Sequence, residues 1–332
     1  MMNVLYQFNE LYAPFAGASI VSLFENNREQ EITVYILGEE LSNDSVDKFN
    51  EIRRTYNKNI VIKDTKDIIE KMKSWGMPPY RGSYAANLRL FLPYFLDDSV
   101  SRVLYLDADT IVNNSIKMFY ETSLEGKAVA MILDSLGNSY KEDNLGFEKN
   151  DFYFNSGVIL YDLNKWRELQ YSQKIIDHVK TGNTHYTLLD QDLINVICKD
   201  EILMVSAKYN FQPVHMVYPI KTYFKCYEQE GYYTYEELEE AKKDIVIYHS
   251  FRFVGEFPWN KGSIHPYRDL FDFYLELTPW KSYIRKPADK SFFMKVEKVL
   301  YILFPKSFFL RIFVLFHQIY LNKSPEIKKA KV

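Results

Sequence analysis

The sequence predicts an α/β protein built on a doubly wound, mainly parallel sheet, with a helical basic and apolar tail. Three observations lead there. Short β-branched runs alternate with helix-like stretches through the first 110 residues. The strand candidates are apolar at consecutive positions, as strands covered on both faces must be. Punctuation is sparse, since Gly and Pro together make 24 of 332 residues, which excludes collagenous, linker-like and mucin-like chains. In order, Val4–Phe8 is a strand, Pro14–Glu25 a helix and Ile32–Leu37 a β-branched strand closed by Gly38. Ser42 caps a polar helix to about Tyr56. Asn59–Lys63 is a third strand, Ile68–Lys73 a helix and Arg102–Asp107 a very apolar fourth strand. Ala128–Asp134 and Phe152–Asp162 follow, then a helix from Leu163 to about Lys180 and another beginning at Asp190. Ser74–Ser83 reads as a connection or a lid, and the Tyr-rich, aperiodic Gln212–Tyr235 as a stacking cleft or as core.

Composition narrows the function. Apolar residues at 47% and charged residues at 26% describe a globular chain, and aromatics at 17% suit a large core or a wet cleft. The net charge of −3 hides an asymmetry: residues 285–332 carry +8, leaving −11 for residues 1–284. An acidic body is a poor nucleic-acid binder, because that affinity comes mostly from phosphate neutralisation. The expected division is therefore an acidic main domain over 1–284 and a separate tail over 285–332. In the tail, Phe308, Phe309, Phe313 and Phe316 lie among basic residues, and no charge-free run approaches the about 20 residues of a spanning helix. That pattern predicts attachment to a membrane surface; a helical hairpin packed on the body is the competing reading. Two cysteines, Cys198 and Cys226, make no disulfide framework. No basic-then-apolar leader opens the sequence, so the expected location is cytoplasmic, peripheral at the inner face of the cell membrane.

The sharpest chemical signal is Leu104-Tyr105-Leu106-Asp107-Ala108-Asp109, a buried strand ending in two acids. Carboxylates about 4 Å apart repel by roughly 4 kcal/mol at an effective dielectric near 20, and a diphosphate beside them would add to that. A divalent cation bridging acids and diphosphate resolves the conflict. His249, after the apolar Ile245-Val246-Ile247-Tyr248, also emerges at a strand end. Its imidazole beside two carboxylates favours Mn²⁺, with Mg²⁺ as the alternative ion. Strand-end acids and a lone histidine also occur with purely structural roles.

Beyond these, the chain resembles glycosyltransferase family 8, the group of bacterial lipopolysaccharide galactosyl- and glucosyltransferases and of the glycogenins. The resemblance rests on Leu104–Asp109, on Tyr153-Phe154-Asn155-Ser156-Gly157-Val158 with Lys165-Trp166-Arg167, on Asp190-Gln191-Asp192, and on His249 followed by Pro258-Trp259, in matching order over roughly residues 3–275. It implies a GT-A fold, a nucleotide-sugar donor of the UDP-hexose type, Mn²⁺, and transfer with retention at the anomeric carbon. Residue by residue it assigns Asp107, Asp109 and His249 to the metal, and Arg89, Ala108 and Gly255 to the donor. Asp134 and Asp190 match acids that hold the sugar hydroxyls. Asn155 and Gly157 match the turn beside the sugar, and Gln191 the polar group on the sugar face opposite the leaving group. Catalytic roles would fall to Gln191, Asp190 and Arg89. Two departures stand out. In Gln7-Phe8-Asn9-Glu10-Leu11-Tyr12, Asn9 and Tyr12 remain to pair and stack with the base, while Leu11 occupies the ribose position. In the closing motif Phe257 stands where the family has a lysine, leaving Arg252 or Lys261 to supply the cation.

The expected partners are therefore a nucleotide-sugar donor, a glycan or glycolipid acceptor and a membrane surface, with no nucleic acid. An amide such as Gln191 is a poor nucleophile, so same-face attack is the expected route to retention, with Asp190 and Asp192 as the carboxylates for a covalent alternative. A metal-dependent nucleotidyltransferase would need a Gly-rich loop after the first strand, and Gln7–Pro14 contains no Gly. A catalytically silent nucleotide-sugar-binding protein is the other rival. A dinucleotide-dependent dehydrogenase fails, since no G-x-G-x-x-G follows any strand.

Overall fold

A computed structural model describes residues 1–137, 145–148, 151–182, 186, 188–227 and 231–323, with side chains described as far as residue 314. Nine strands are described: β1 (Met2–Asn9), β2 (Ile32–Glu39), β3 (Asn59–Lys63), β4 (Arg102–Asp107), β5 (Thr110–Val112), β6 (Val129–Leu133), β7 (Phe154–Asp162), β8 (Ile202–Met204) and β9 (Ile247–His249). Seven form one sheet in the order β3-β2-β1-β4-β7-β6-β8. Its first four strands are parallel to one another. β7 runs antiparallel between β4 and β6, and β8 is parallel to β6. Buried parallel and antiparallel strands both read as continuous apolar runs, so the reversal at β7 is invisible to periodicity.

Helices α1 (Ala13–Glu25), α2 (Asn43–Tyr56) and α3 (Lys66–Ser74) connect the parallel strands. Pro14 opens α1, where a missing N–H costs nothing. Glycine is needed at position 17 of α1, because a Cβ there would lie 2.6 Å from the ring of Trp280. Ser42 caps α2 as its sequence suggests, accepting from Ser45 N at 3.1 Å. Glu10 pins that cap by accepting from the Ser42 backbone N–H at 2.9 Å. The Arg89 segment, Ala85–Tyr94, is not an α-helix but tight 3₁₀ turns kinked at Phe91, with Pro93 inside. The helix expected from Leu163 to Lys180 is broken at Gln170, whose φ of +54° separates Leu163–Glu168 from Tyr171–Lys180.

Crossing from β3 to β4, on the other side of β1, reverses the winding direction. Ligands of open α/β sheets sit at such a switch point, outside the carboxyl ends of the strands. Gln7 and Asp107 are register partners at that edge. Just beyond it, β5 pairs antiparallel with β9, placing Thr110 opposite His249. The Tyr-rich stretch is core rather than cleft: Tyr218, Tyr223, Tyr232 and Tyr233 are buried. Their hydroxyls are absorbed internally, as in Tyr223 to Ser135 O at 2.6 Å and Tyr233 to Val205 O at 2.6 Å.

The C-terminal segment carries two helices, Phe292–Leu303 and Lys306–Lys323. Arg285 pairs with Asp272, and Lys290 and Lys298 reach Glu256 on the body. Phe309 and Leu310 are buried, Phe309 against Tyr218 and Tyr301. Phe313 stacks on Phe309 at 5.7 Å, so of the aromatics expected to face a membrane Phe308 alone is exposed among those described. The side chain of Phe316 lies outside the described residues.

Candidate active site

A cavity of about 560 Å³ opens at the carboxyl ends of β1 and β4, within the usual size range of ligand pockets. Asn9, Tyr12, Arg89, Asp107, Ala108, Asp109, Asp134, Asn155, Asp190, Gln191 and His249 all line it. Gly157 lies just behind Asp107 and His249. Gly255, with φ +71°, faces Met294 instead and does not line the cavity. Asp192 is absent from the lining as well. It accepts from Tyr153 Oη and from Leu188 N, the latter at 2.8 Å, and so organises the start of its own helix.

At the centre, one ligand atom from each of Asp107, Asp109 and His249 lies within 4.8 Å of the others. β5 and β9 build this cluster: their pairing sets His249 beside the turn that carries Asp109, and Ser250 N donates to Asp109 O at 2.8 Å. His249 Nε2 sits 3.3 Å from Asp109 Oδ1 and 3.7 Å from Asp107 Oδ2. Its other nitrogen, Nδ1, is 2.9 Å from Asn210 Oδ1, an acceptor that fixes a proton on Nδ1 and turns Nε2 toward the acids. Asp107 Oδ1 is taken by Arg89 Nη2 at 2.7 Å and by Tyr105 Oη, so Oδ2 is its available oxygen. Burial by itself would depress the His249 pKa, but Asp109, and behind it Asp107 and Asp134, hold it above the usual value. A Cβ at Gly157 would come within 2.9 Å of Asp107 Oδ2 and closer still to the imidazole, so the glycine keeps this space open. Two carboxylate oxygens and one imidazole nitrogen form a donor set suited to a divalent metal ion.

The wall beside the cluster is a closed hydrogen-bond network. Asp134 Oδ2 accepts from Asn155 Nδ2 at 2.9 Å and Gln191 Nε2 at 3.2 Å, and Oδ1 accepts from Leu136 N at 2.8 Å. Gln191 Oε1 accepts from Ser156 N at 2.9 Å, so its amide bridges β7 to Asp134. Asn155 Oδ1 accepts from Gly157 N at 3.0 Å and from Asn210 Nδ2 at 2.8 Å, joining this wall to His249. Asp190 lies 3.3 Å from Arg89 Nε and accepts from Ser156 Oγ at 3.1 Å. Burial pushes the pKa of both Asp134 and Asp190 up, opposed at Asp134 by its amide donors and at Asp190 by Arg89. Arg89 is itself buried, lies 4.2 Å over the Tyr105 ring and is committed to Asp107, Asp190 and Ser156 O.

A model of Glycosyl transferase family 8 matches residues 3–261 of this chain. The chain belongs to that family. General stress protein A of Bacillus subtilis is 25% identical to this glycosyltransferase over 292 residues, covering 87% of this chain and 97% of the relative. Lipopolysaccharide 1,2-glucosyltransferase of Escherichia coli K12 is 26% identical over 310 residues, covering 90% and 83%. The fold is that of the galactosyltransferase LgtC, solved with donor and acceptor sugar analogs: TM-score 0.67, 20% identity, 84% of this chain and 96% of LgtC covered.

The opposite wall of this glycosyltransferase's cavity is less closed. Gln7 and Asn9, at the end of β1, each have a buried side-chain oxygen with no hydrogen-bond partner among the described residues. Tyr12 and Phe257 supply aromatic surface, with Trp259 packed behind both. Phe257 stacks on Trp259 at 4.6 Å, and Trp259 on Phe15 at 3.9 Å, so Phe257 is part of an aromatic stack. Arg252 lines the cavity; Lys261 is exposed and does not. The 74–83 loop contributes Tyr80, Arg81 and Ser83, and Glu39 pins its end by accepting from Ser83 Oγ and Tyr84 N. Sequence reasoning passed over Gln7, Arg81, Ser156 and Asn210. Gln7 was within reach, being a polar residue at a strand end; Asn210 belongs to no motif and is found through its partners.

Proposed function

We propose that this protein transfers glucose or galactose from a UDP-hexose, with retention, to a glycan or glycolipid acceptor in the synthesis of cell-surface polysaccharide or lipopolysaccharide. The observation that carries the reading is the convergence of Asp107, Asp109 and His249 beside the Asp134–Asn155–Gln191 network in one cavity. The named activities of the lipopolysaccharide glucosyltransferase and of the galactosyltransferase LgtC support the choice of sugar and acceptor class.

Asp107, Asp109 and His249 would hold Mn²⁺, which when bound supplies a Lewis acid for the diphosphate. Asn9 and Gln7 present acceptors suited to the uracil imide, and Tyr12 an aromatic edge for the base. Asp134 and Asp190 accept from sugar hydroxyls. Their networks fix them in place before substrate arrives, which is where electrostatic catalysis draws its strength. A covalent route would need a free carboxylate on the far face of the sugar. Asp134 is held by two amides and a backbone N–H, and Asp190 by Arg89 and Ser156, which favours attack from the face the leaving group vacates.

The proposal extends to location: the enzyme rests at the cytoplasmic face of a membrane through its C-terminal segment. Among the described residues no helix is long and apolar enough to cross a membrane. On the helix Phe292–Leu303, however, Phe292, Val296, Val299 and Leu303 follow one helical stripe and are all exposed, with exposed Lys295 nearby. Such a stripe beside basic residues suits an interfacial helix. The activity is tested by incubating the protein with UDP-glucose, UDP-galactose, GDP- and CMP-sugars and following nucleotide release with Mn²⁺ or excess EDTA. Release from UDP-hexoses in Mn²⁺ and its loss in EDTA are expected. Undiminished release in EDTA, or activity on GDP- or CMP-sugars alone, overturns the reading.

A further inference from the structure

Three arginines line the cavity: Arg81, Arg89 and Arg252. Arg89 is committed to Asp107, Asp190 and Ser156, and its charge is spent on the protein's own acids. Arg81 is exposed on a turn, its guanidinium 5.1 Å from the Tyr80 ring. Arg252 differs from both. It follows His249 by three positions, its Nη2 donates to Asp289 O at 2.6 Å, and its Nε is buried with no hydrogen-bond partner among the described residues. Glu297, whose carboxyl feels its charge, makes no direct ion pair with it among those residues.

The segment that carries Arg252 is held from behind by the chain after residue 284. Phe253–Glu256 is a tight turn closed by Phe253 N to Glu256 O at 2.8 Å and Glu256 N to Phe253 O at 3.0 Å. Val254 and Gly255 both have positive φ in it, at 49° and 71°. The Glu256 carboxylate is buried and accepts from Lys290 at 2.6 Å, Lys298 at 2.7 Å and Ile264 N at 2.8 Å. Lys298 also donates to Gly262 O at 2.9 Å, and Lys261 N donates to Lys286 O at 2.9 Å. Met294 covers Gly255 so closely that a Cβ there would lie 3.2 Å from the Met294 Cβ. Buried charge pairs of this kind are poor sources of net stability but hold geometry, because breaking one side strands the other.

We propose that Arg252 is the cation that binds the donor diphosphate in this chain, and that residues 286–298 are a strap that positions it. The inference rests on the nucleotide-sugar reading above and deepens it. Of the cavity-lining arginines, Arg252 is the one on the segment that follows the acid–histidine cluster, its Nη2 anchored by the Asp289 carbonyl and its Nε left without a hydrogen-bond partner among the described residues. The C-terminal segment thereby acts on the active site as well as on whatever surface its exposed stripe meets.

The test compares a nucleoside diphosphate with the corresponding monophosphate by titration calorimetry in Mn²⁺, for whichever base wild type binds best. Arg252→Ala should reduce the diphosphate-over-monophosphate preference roughly tenfold or more, the worth of a charge-assisted contact, with Arg252→Lys recovering part of it. Lys290→Met/Lys298→Met should lower the same preference while leaving monophosphate affinity intact. Adding Arg252→Ala to that double variant should then cost little more. Thermal melts identify any variant that fails to fold, and Lys298→Arg provides a milder strap variant for that case. A preference unchanged in Arg252→Ala overturns the Arg252 role, and one unchanged in folded strap variants overturns the positioning role. Wild type preferring another base overturns the uridine reading and leaves the Arg252 ratio readable. If wild type binds no nucleoside diphosphate, both fall.

Discussion

The two walls of the cavity are built differently. On one side Asp134, Asn155, Gln191, Asp190 and Arg89 satisfy one another, so the wall is complete without substrate. On the other, Gln7 and Asn9 carry buried oxygens with no partner among the described residues, beside the rings of Tyr12 and Phe257. A buried unpaired acceptor costs about 1–3 kcal/mol in the free protein, which a ligand donor recovers on binding. The closed wall is suited to fixing a reacting sugar, the open one to gripping a nucleotide. On the proposed function, binding energy and catalytic geometry fall to separate residues, and that division can be broken experimentally.

The largest effect is expected where the walls meet. Asp109→Asn should lower turnover at least about 100-fold, the scale of losing a key electrostatic stabiliser; initial rates at saturating Mn²⁺ check this. A loss under tenfold would separate the acid pair from the chemistry.

Next comes the support of the closed wall. Burial lowers the His215 pKa to about 3, and its partner Tyr223 donates to Ser135 O beside Asp134. A histidine depressed from its ordinary value near 6.5 contributes stability that is present above that value and lost as pH falls toward 3. At about 1.4 kcal/mol per pH unit, the contribution shrinks by roughly 2 kcal/mol between pH 6.5 and 5. Urea unfolding of wild type and His215→Gln should show their stability gap narrowing by that amount over this range.

Gln191→Ala removes the bridge between Ser156 N and Asp134. It should lower kcat roughly 10- to 100-fold with little change in donor KM, and reduce the melting temperature, because buried groups lose partners. Asn9→Ala should do the reverse and more mildly: donor KM up about 5- to 10-fold, kcat nearly unchanged and the melting temperature the same or higher, since removing an unpartnered buried oxygen relieves its cost in the empty fold.

These walls also mark what could be read in the residues. Asp107, Asp109 and His249 were legible as polar groups ending apolar strands, whereas Asp134, Asn155, Gln191, Asp190 and Arg89 were found through the motifs that carry the family resemblance. Strand existence was legible from apolar runs within the strands: Val34–Leu37 in β2, Val103–Leu106 in β4 and Val129–Leu133 in β6. The direction of β7 was not, since side-chain pattern is blind to strand polarity. The Arg89 segment is rich in Ala, Leu and Arg, which favour α-helices, yet the fold kinks it into 3₁₀ turns at Phe91. Asn210 is 39 residues from its partner His249, and no local signal links them. The tail was read by composition alone, which saw its charge and apolarity but not that Glu256 buries two of its lysines or that Phe309 enters the core. Those are pairings across distance, and composition carries none of them.

The division of labour is tested most directly by calorimetric titration of UDP in Mn²⁺ against wild type, Asn9→Ala and Gln191→Ala. UDP contains no sugar to be fixed. Asn9→Ala should therefore weaken it about 5- to 10-fold, while Gln191→Ala leaves it unchanged. Equal weakening in both variants, or weakening confined to Gln191→Ala, would contradict the account.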